Sequence, residues 1–150
     1  LQILLPEGTK VTTDHVEQHI GISKDYNVFE LQRALGNKDI ERANRIVQYF
    51  EANPKNAPLA MVVPVLHAYF ARVLVYQTLQ DRSEGAAAKA MRCSPYAVRD
   101  YARAAGAFAP AKVERIFGYL RDADKKAKGR SNATTTDGML LREAVFKILH

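Results

Sequence analysis

Apolar residues recur every three or four positions along most of this chain, whereas the strict alternation that marks a half-buried strand is almost absent. In the segment 40–50, for instance, one helix face would be formed by Ile40, Ala43, Ile46, Val47 and Phe50. The pattern therefore predicts an all-α protein, built as a helical bundle.

Residues that start and stop helices divide the chain into successive predicted helices. Asn27 lies three positions before Glu30, as in a capping box, and Asn37 or Asp39 can open the next helix. Asp137 is the predicted N-cap of the last helix. The predicted helices span residues 14–20, 28–35, 40–52, 58–81, 84–92, 96–107, 110–130 and 138–149.

The segment 58–81 is the most hydrophobic in the chain and carries apolar residues on more than one face. A membrane span is the competing interpretation, but His67 and Arg72 lie inside the segment, and a charge near the bilayer centre costs roughly 2.5 to 3.5 kcal/mol. A buried central helix, without membrane contact, is therefore favoured. Pro64 should bend this helix or mark its true start one turn later.

The length of 150 residues suits one domain with at most a small appendage. The sequence opens at Leu1 in a hydrophobic run, without an initiator Met or the features of a signal peptide, so we expect a piece of a longer protein. The single Cys93 excludes an internal disulfide framework and suits a reducing compartment, which indicates the cytoplasm.

The net charge of +6 raises the question of nucleic-acid binding, because Lys and Arg that neutralise phosphates release counterions. The 22 basic residues are, however, accompanied by 16 acidic ones, a mixture that is typical of an ordinary solvated surface. Any DNA contact through charge alone is expected to be weak and indifferent to base sequence.

The motifs that could carry chemistry are incomplete. His15 and His19 have the spacing of two zinc ligands on a helix, but no third ligand is nearby, so surface or packing histidines are favoured. Cys93 follows Arg92 before a helix N-terminus, which could lower a thiol pKa, yet nothing marks a catalytic base. The sequence contains no glycine-rich phosphate loop, so no catalytic residue, cofactor or metal is predicted.

The strongest alternative is a helix-turn-helix DNA-binding regulator formed by residues 86–103. Its second helix would present Tyr96, Arg99 and Arg103 to a major groove. The fit is imperfect, because Cys93 stands where such turns often contain glycine. An antiparallel pair of bundle helices would show the same pattern, and that interpretation is favoured.

Several segments follow one another in an order that one known family shares. They are residues 27–39, then Ala43 and Ile46, then Asn53-Pro54, the apolar segment from Pro58, the Ala-Lys-Ala-Met-Arg segment with Ser94-Pro95-Tyr96, residues 119–129, and residues 140–149. This ordered set resembles the C-terminal domain in the delta subunit of bacterial DNA polymerase III. The resemblance extends from about Thr12 onward, and no single motif in it is diagnostic.

The resemblance implies a helical collar domain over residues 27–150, by which clamp-loader subunits associate into a ring. Residues 1–26 would be the end of a helical lid domain and a linker, and the amino-terminal AAA+ domain that opens the sliding clamp would be missing. The implied partners are clamp-loader subunits of the gamma or tau and delta-prime types. The implied role is non-catalytic assembly during DNA replication in the bacterial cytoplasm, within a holoenzyme that is a nucleotidyltransferase.

The charged segment at the end of the predicted helix from Pro110 is the candidate interaction site, either at a subunit interface or near DNA. It comprises Arg121, Asp124, Lys125, Lys126, Lys128 and Arg130. Asp124 precedes Lys128 by four residues, an orientation that modestly stabilises a helix. A solvated helix end that contacts no partner is the simpler alternative.

Overall fold

The computed structural model describes residues 23–129 and 134–150, and all regular elements in these ranges are helical. The all-α prediction is confirmed, whereas the predicted helix 14–20, and with it any helix of a lid domain, lies outside the described residues. The described ranges contain seven α-helices, namely α1 (Val28–Gly36), α2 (Ile40–Ala52), α3 (Leu59–Thr78), α4 (Glu84–Met91), α5 (Val98–Ala107), α6 (Pro110–Gly129) and α7 (Asp137–Leu149).

Side-chain caps fix the beginnings of α1 and α2. The Asn27 side chain accepts hydrogen bonds from the backbone N–H groups of Phe29 and Glu30, as predicted. The Glu30 carboxylate does not complete the capping box but pairs with Arg42 of α2 at 3.2 Å, so it joins the two helices. Asp39, rather than Asn37, caps α2 by accepting a hydrogen bond from the Arg42 N–H group.

The hydrophobic core surrounds α3. Helices α1, α4, α5 and α6 pack against α3, and α7 lies between α2 and α6. Phe70 meets Phe108 edge to face, with ring centroids 5.6 Å apart. The buried residues of α3 all lie on its inner face, and they are Leu59, Val62, Leu66, Tyr69, Phe70 and Val73.

α3 is continuous from Leu59 to Thr78, so the prediction that Pro64 marks a later start is wrong. Pro64 is exposed, and water can therefore reach the backbone carbonyl that loses its helical hydrogen bond. Among the described residues, α3 is the helix whose length and hydropathy would suit a membrane span, a property that it shares with core helices of soluble proteins. The Arg72 side chain donates a hydrogen bond to the Met91 carbonyl at 2.9 Å, so this charged group of α3 has a polar partner within the bundle.

α7 is fixed at its first turn by contacts with two other helices. Thr136 caps it by accepting a hydrogen bond from the Met139 N–H group, so the prediction that Asp137 is the cap is wrong. Asp137 instead accepts a hydrogen bond from the Leu59 N–H group at 2.8 Å and so caps α3. Gly138 lies so close to α2 that an added Cβ would be 3.0 Å from the Glu51 Cα. This first turn therefore joins α2, α3 and α7.

Candidate interaction surface

The charged end of α6 extends beyond the part of the helix that packs in the core. Val113, Ile116, Leu120 and Ala123 form the buried stripe of α6, and the helix then continues to Gly129. Because the last turns have few buried positions, their Lys and Arg side chains remain in solvent. The predicted segment is therefore a helix end at the surface of the bundle.

Lys126 contributes to an ion-pair network with α7. Its Nζ lies 3.2 Å from Glu143 Oε1, and Lys147 approaches the same oxygen at 3.1 Å. Hydrogen bonds from Lys147 and then Lys126 hold the pKa of the Glu143 carboxyl below its ordinary value. The Lys126 and Glu143 side chains are 52% and 45% exposed, so water screens the pair and limits its contribution to stability.

Lys128 forms the ion pair with Asp124 that the sequence predicts, at 2.8 Å. Its side chain is 74% exposed, which leaves it accessible to solvent and to any partner. We call the ion-paired residues of this end the α6–α7 rim, and it consists of Asp124, Lys126, Lys128, Glu143 and Lys147.

The remaining predicted residues of the segment differ in their surroundings. Arg121 and Lys125 are exposed, and neither makes an ion pair with another of the described residues. Arg130 lies outside the described residues. The structure thus brings Lys126 and Lys128 into ion pairs and leaves Arg121 and Lys125 as free surface cations within residues 23–129 and 134–150.

Residues 86–103, the alternative helix-turn-helix, differ in geometry from that motif. Helix α4 ends at Met91, and Arg92, not Cys93, adopts the left-handed conformation, with a φ of 54°. Pro95–Ala97 form a separate 3-10 turn before α5 begins at Val98. Tyr96 therefore lies in the turn and not on the second helix, where its side chain is 93% exposed.

The two arginines of the alternative DNA-reading helix lie on α5 and are exposed. Arg103 donates a hydrogen bond to the Asn37 side chain at 3.3 Å, which connects α5 to the end of α1. Arg99 and Tyr96 make no such contact in the described part of the chain. Aromatic and arginine side chains of this kind could meet nucleic acid, but Arg103 also has a structural partner.

Neither sequence motif with a chemical interpretation forms a site in the described residues. Burial raises the pKa of the half-buried Cys93 thiol, and the nearby charge that opposes this shift belongs to Arg72, not to Arg92. The shift in the Cys93 pKa is therefore opposite in direction to the one that a neighbouring Arg92 could cause. His15 and His19 lie outside the described residues, and residues 23–129 and 134–150 contain no cluster of three metal-ligating side chains.

A shallow groove between α2 and α7 was not anticipated from the sequence. Its volume is about 440 Å³, and Glu41, Arg45, Arg142 and Phe146 contribute to its walls. Arg45 pairs with Glu41 at 3.0 Å, and Arg142 pairs with Glu51 at 2.6 Å. The opposite charges around this groove are thus largely satisfied within the protein.

Sequence reasoning also missed the solvent-exposed side of α3, because it assigned the apolar residues of segment 58–81 to the core. The structure buries one side of this helix and exposes the other. A usable signal was present in the sequence: Arg72 is the only fully charged residue between Leu59 and Thr78, although a surface helix normally has a charged face.

Comparisons with known proteins give the same family that the order of the sequence segments resembles. A family model described as "DNA polymerase III delta subunit, C-terminal domain" matches residues 25–141. The solved structure of the Bacillus subtilis DNA clamp loader delta protein superposes with a TM-score of 0.65 at 18% sequence identity, a likeness that concerns the fold alone. The alignment covers 93% of this chain and 40% of that one, so this chain spans less than half of its length. No curated protein matches the sequence significantly.

Proposed function

Because the chain belongs to the family of C-terminal domains of the DNA polymerase III delta subunit, we propose that it is the non-catalytic collar of a clamp-loader delta subunit. In this role it helps to assemble the complex that loads the sliding clamp on DNA during replication. The observation that carries the proposal is the family match over residues 25–141, which spans most of the described bundle. The all-helical fold, with an open charged end, is compatible with assembly through helix faces.

The proposed domain boundary lies at Asn27, the N-cap of the first described helix. Residues 27–150 form the collar, and residues 1–26 belong to a preceding lid domain and linker. Two observations support this boundary: Asn27 caps the first described helix, and the family match begins at residue 25. An AAA+ domain that contacts the sliding clamp would then precede residue 1 in the intact protein.

The proposed partners are clamp-loader subunits of the gamma or tau and delta-prime types, in the bacterial cytoplasm. The intact protein would be a subunit of a DNA-directed DNA polymerase holoenzyme, a nucleotidyltransferase, whose polymerisation chemistry belongs to another subunit. The candidate contact residues are those of the charged segment, namely Arg121, Asp124, Lys125, Lys126, Lys128 and Arg130. The exposure of Lys126 and Lys128 supports their use as contacts, because a partner could reach both.

Charge reversal in the full-length subunit tests the proposal. The double variant Lys126→Glu and Lys128→Glu should reduce co-purification with gamma or tau and delta-prime, while circular dichroism still reports a folded helical protein. Lys55→Glu combined with Lys89→Glu is the matched control, because both lysines are exposed and lie elsewhere on the surface. If the unmodified subunit does not co-purify with either partner, the collar proposal is wrong.

A DNA-binding regulator remains the second candidate, and the observation in its favour is the exposure of Tyr96 beside α5. For a collar, DNA binding should be weak, indifferent to sequence and mostly lost between about 50 and 200 mM salt. Titration of labelled duplexes by fluorescence anisotropy measures this dependence. Tight binding to one duplex that survives such salt, and that Arg99→Ala or Arg103→Ala abolishes, would favour the regulator.

A further inference from the structure

The outer side of α3 is an exposed helix face without a fully charged residue. We call this face the outer stripe, and it consists of Ala60, Met61, Pro64, His67, Ala68, Ala71, Val75 and Thr78. These residues fall on one side of the helix by its 3.6-residue period, and all are exposed except the half-buried Ala71. Met61 and Val75 are 41% and 36% exposed.

Such a face is unusual for a helix that meets water. The solvent-facing side of a helix in a soluble protein normally carries charged residues, and the outer side of α2 follows this rule with Glu41 and Arg45. Because the inner face of α3 supplies all its buried residues, the bundle does not require an apolar outer face. Apart from the polar His67 and Thr78 the face is apolar, and contiguous exposed apolar surface marks interaction sites.

The stripe has the shape of a helix-docking surface. Its middle consists of small or compact side chains, including Pro64, Ala68 and Ala71, over which another helix can approach to about 8 to 10 Å. Met61 and Val75 lie near its two ends, about 21 Å apart along the helix axis. Met61 is also a flexible apolar side chain that adapts to the surface it meets.

Within residues 23–129 and 134–150, the neighbours of the stripe leave it uncovered. On one side Arg72 reaches the end of α4 through Met91, and on the other His67 contacts the Phe117 ring of α6 at 4.9 Å. The first described residues lie elsewhere, since Tyr26 stacks on Tyr49 of α2 at 4.9 Å. Helix α2 packs against α1 and α7, so residues 23–26 lie beside α2.

We propose that the outer stripe docks an uncharged, apolar helix face of another clamp-loader subunit, an inference that rests on the proposed collar function. Charge complementarity determines the chemistry of this partner. A charged partner residue would lose its hydration against a stripe that offers no fixed opposite charge, so a neutral apolar face fits best. A lipid surface fits less well, because interfacial helices present Trp, Phe or Leu beside Lys and Arg, and the stripe has none of these.

Ala68→Glu in the full-length subunit tests the proposal directly. The new carboxylate would be buried without a partner in the complex, so the affinity for the other clamp-loader subunits should fall about tenfold or more. Ala52→Glu is the matched control: it also replaces an exposed helical alanine, at the end of α2, and should leave the affinity unchanged. Both variants should keep the thermal midpoint of the unmodified protein. Sedimentation velocity or surface plasmon resonance with purified partners gives the affinities.

The outcomes separate this proposal from the collar function. If the unmodified subunit assembles and Ala68→Glu assembles equally well, the stripe proposal is overturned and the collar function stands. If the unmodified subunit binds no clamp-loader subunit, both fail. Self-association that Ala68→Glu abolishes, or co-sedimentation with phosphatidylcholine vesicles that it abolishes, would assign the stripe to a second copy or a membrane and would also overturn the proposal.

Discussion

The outer stripe of α3 and the α6–α7 rim are both exposed, but they differ in the interactions that their side chains make with water and with the rest of the protein. The rim carries charges that already have partners, such as Lys128 with Asp124 at 2.8 Å and Lys126 with Glu143 at 3.2 Å. The stripe has no fixed charge, so little of its surface is satisfied by hydration. The stripe therefore gains more from being covered than the rim does.

This difference determines how strongly a charged segment and an exposed apolar stripe each indicate an interface. Exposed ion pairs contribute about 0 to 1 kcal/mol to stability, and charged side chains are well hydrated even without a partner. A charged segment is thus weak evidence for an interface. Exposed apolar residues in one contiguous stripe are harder to explain without a partner, and the comparison predicts different responses to substitution in the two regions.

The largest effect on stability is expected within α3, where the inner face is part of the hydrophobic core and the outer stripe is not. Leu66 is fully buried, so Leu66→Ala should lower the free energy of unfolding by about 2 to 5 kcal/mol. Met61→Ala in the stripe should cost less than about 1 kcal/mol, because Met61 is already 41% exposed. Urea denaturation monitored by circular dichroism measures both. Equal costs would mean that the stripe is part of the core and would remove the contrast.

A smaller effect is expected where α7 meets α2, on the side of the rim. An alanine Cβ at position 138 would clash with Glu51 Cγ and lie 3.0 Å from Glu51 Cα, so the Glu51 side chain must move and the α2 and α7 backbones must separate by a few tenths of an ångström. Gly138→Ala should therefore cost about 1 to 3 kcal/mol, as overpacking does. The matched control is Gly118→Ala in α6, where nothing lies within 4 Å, and this change should be neutral or stabilising by up to about 1 kcal/mol.

The displacement of α7 should also be visible in the rim. If Gly138→Ala shifts α7, NMR chemical shifts around Glu143 should change while those around Ala68 in the outer stripe change little. A variant as stable as the unmodified protein would show that α2 and α7 do not require this close approach.

A third expectation concerns the hydrogen bond that connects the helix of the stripe to a helix of the rim. Asp137 accepts the Leu59 N–H group at 2.8 Å, so Asp137→Ala should cost about 0.5 to 2 kcal/mol, as the loss of a cap does. Asp137→Asn keeps an oxygen acceptor and should recover part of this loss. Chemical denaturation compares the two. If alanine and asparagine are equivalent, the contact does not stabilise the start of α3.

Much of the fold follows from local sequence signals. Asn27 and Asp39 cap the helices that they were expected to open, and α2 ends just before Asn53-Pro54. The exceptions depend on contacts between distant residues. Asp137 caps α3 instead of its own helix because the start of α3 lies beside it, and no local pattern reveals that neighbour.

The candidate site was less predictable than the fold. The charged segment of α6 could be found by composition, and the Asp124–Lys128 pair by its spacing, but the pairing of Lys126 with Glu143 joins two helices. The stripe was missed because hydrophobicity alone does not tell which side of an apolar helix faces the core. Burial of Leu66 and exposure of Ala68, two residues apart, depend on where α5 and α6 pack.

The smallest effect is expected for the pH dependence of the rim, and it tests whether its charges are truly engaged. The lysines lower the folded-state pKa of Glu143, so its stabilising contribution is present above the unfolded-state value near 4.3 and is lost as the pH falls through the lower folded value. The advantage over Glu143→Gln should be a few tenths of a kcal/mol at neutral pH, since the pair is exposed, and should vanish once the pH has fallen below the folded-state pKa of Glu143.

Titration of the Glu143 carboxyl by NMR provides the direct measurement. Lys147→Ala should raise its pKa toward the ordinary value more than Lys126→Ala does, because the Lys147 hydrogen bond is the larger cause of the shift. Salt at about 1 M, where screening acts over about 3 Å, should reduce the difference between the variants. If neither lysine changes the pKa of Glu143, the rim cations are unengaged in solution, and the α6–α7 rim becomes as available to a partner as the outer stripe.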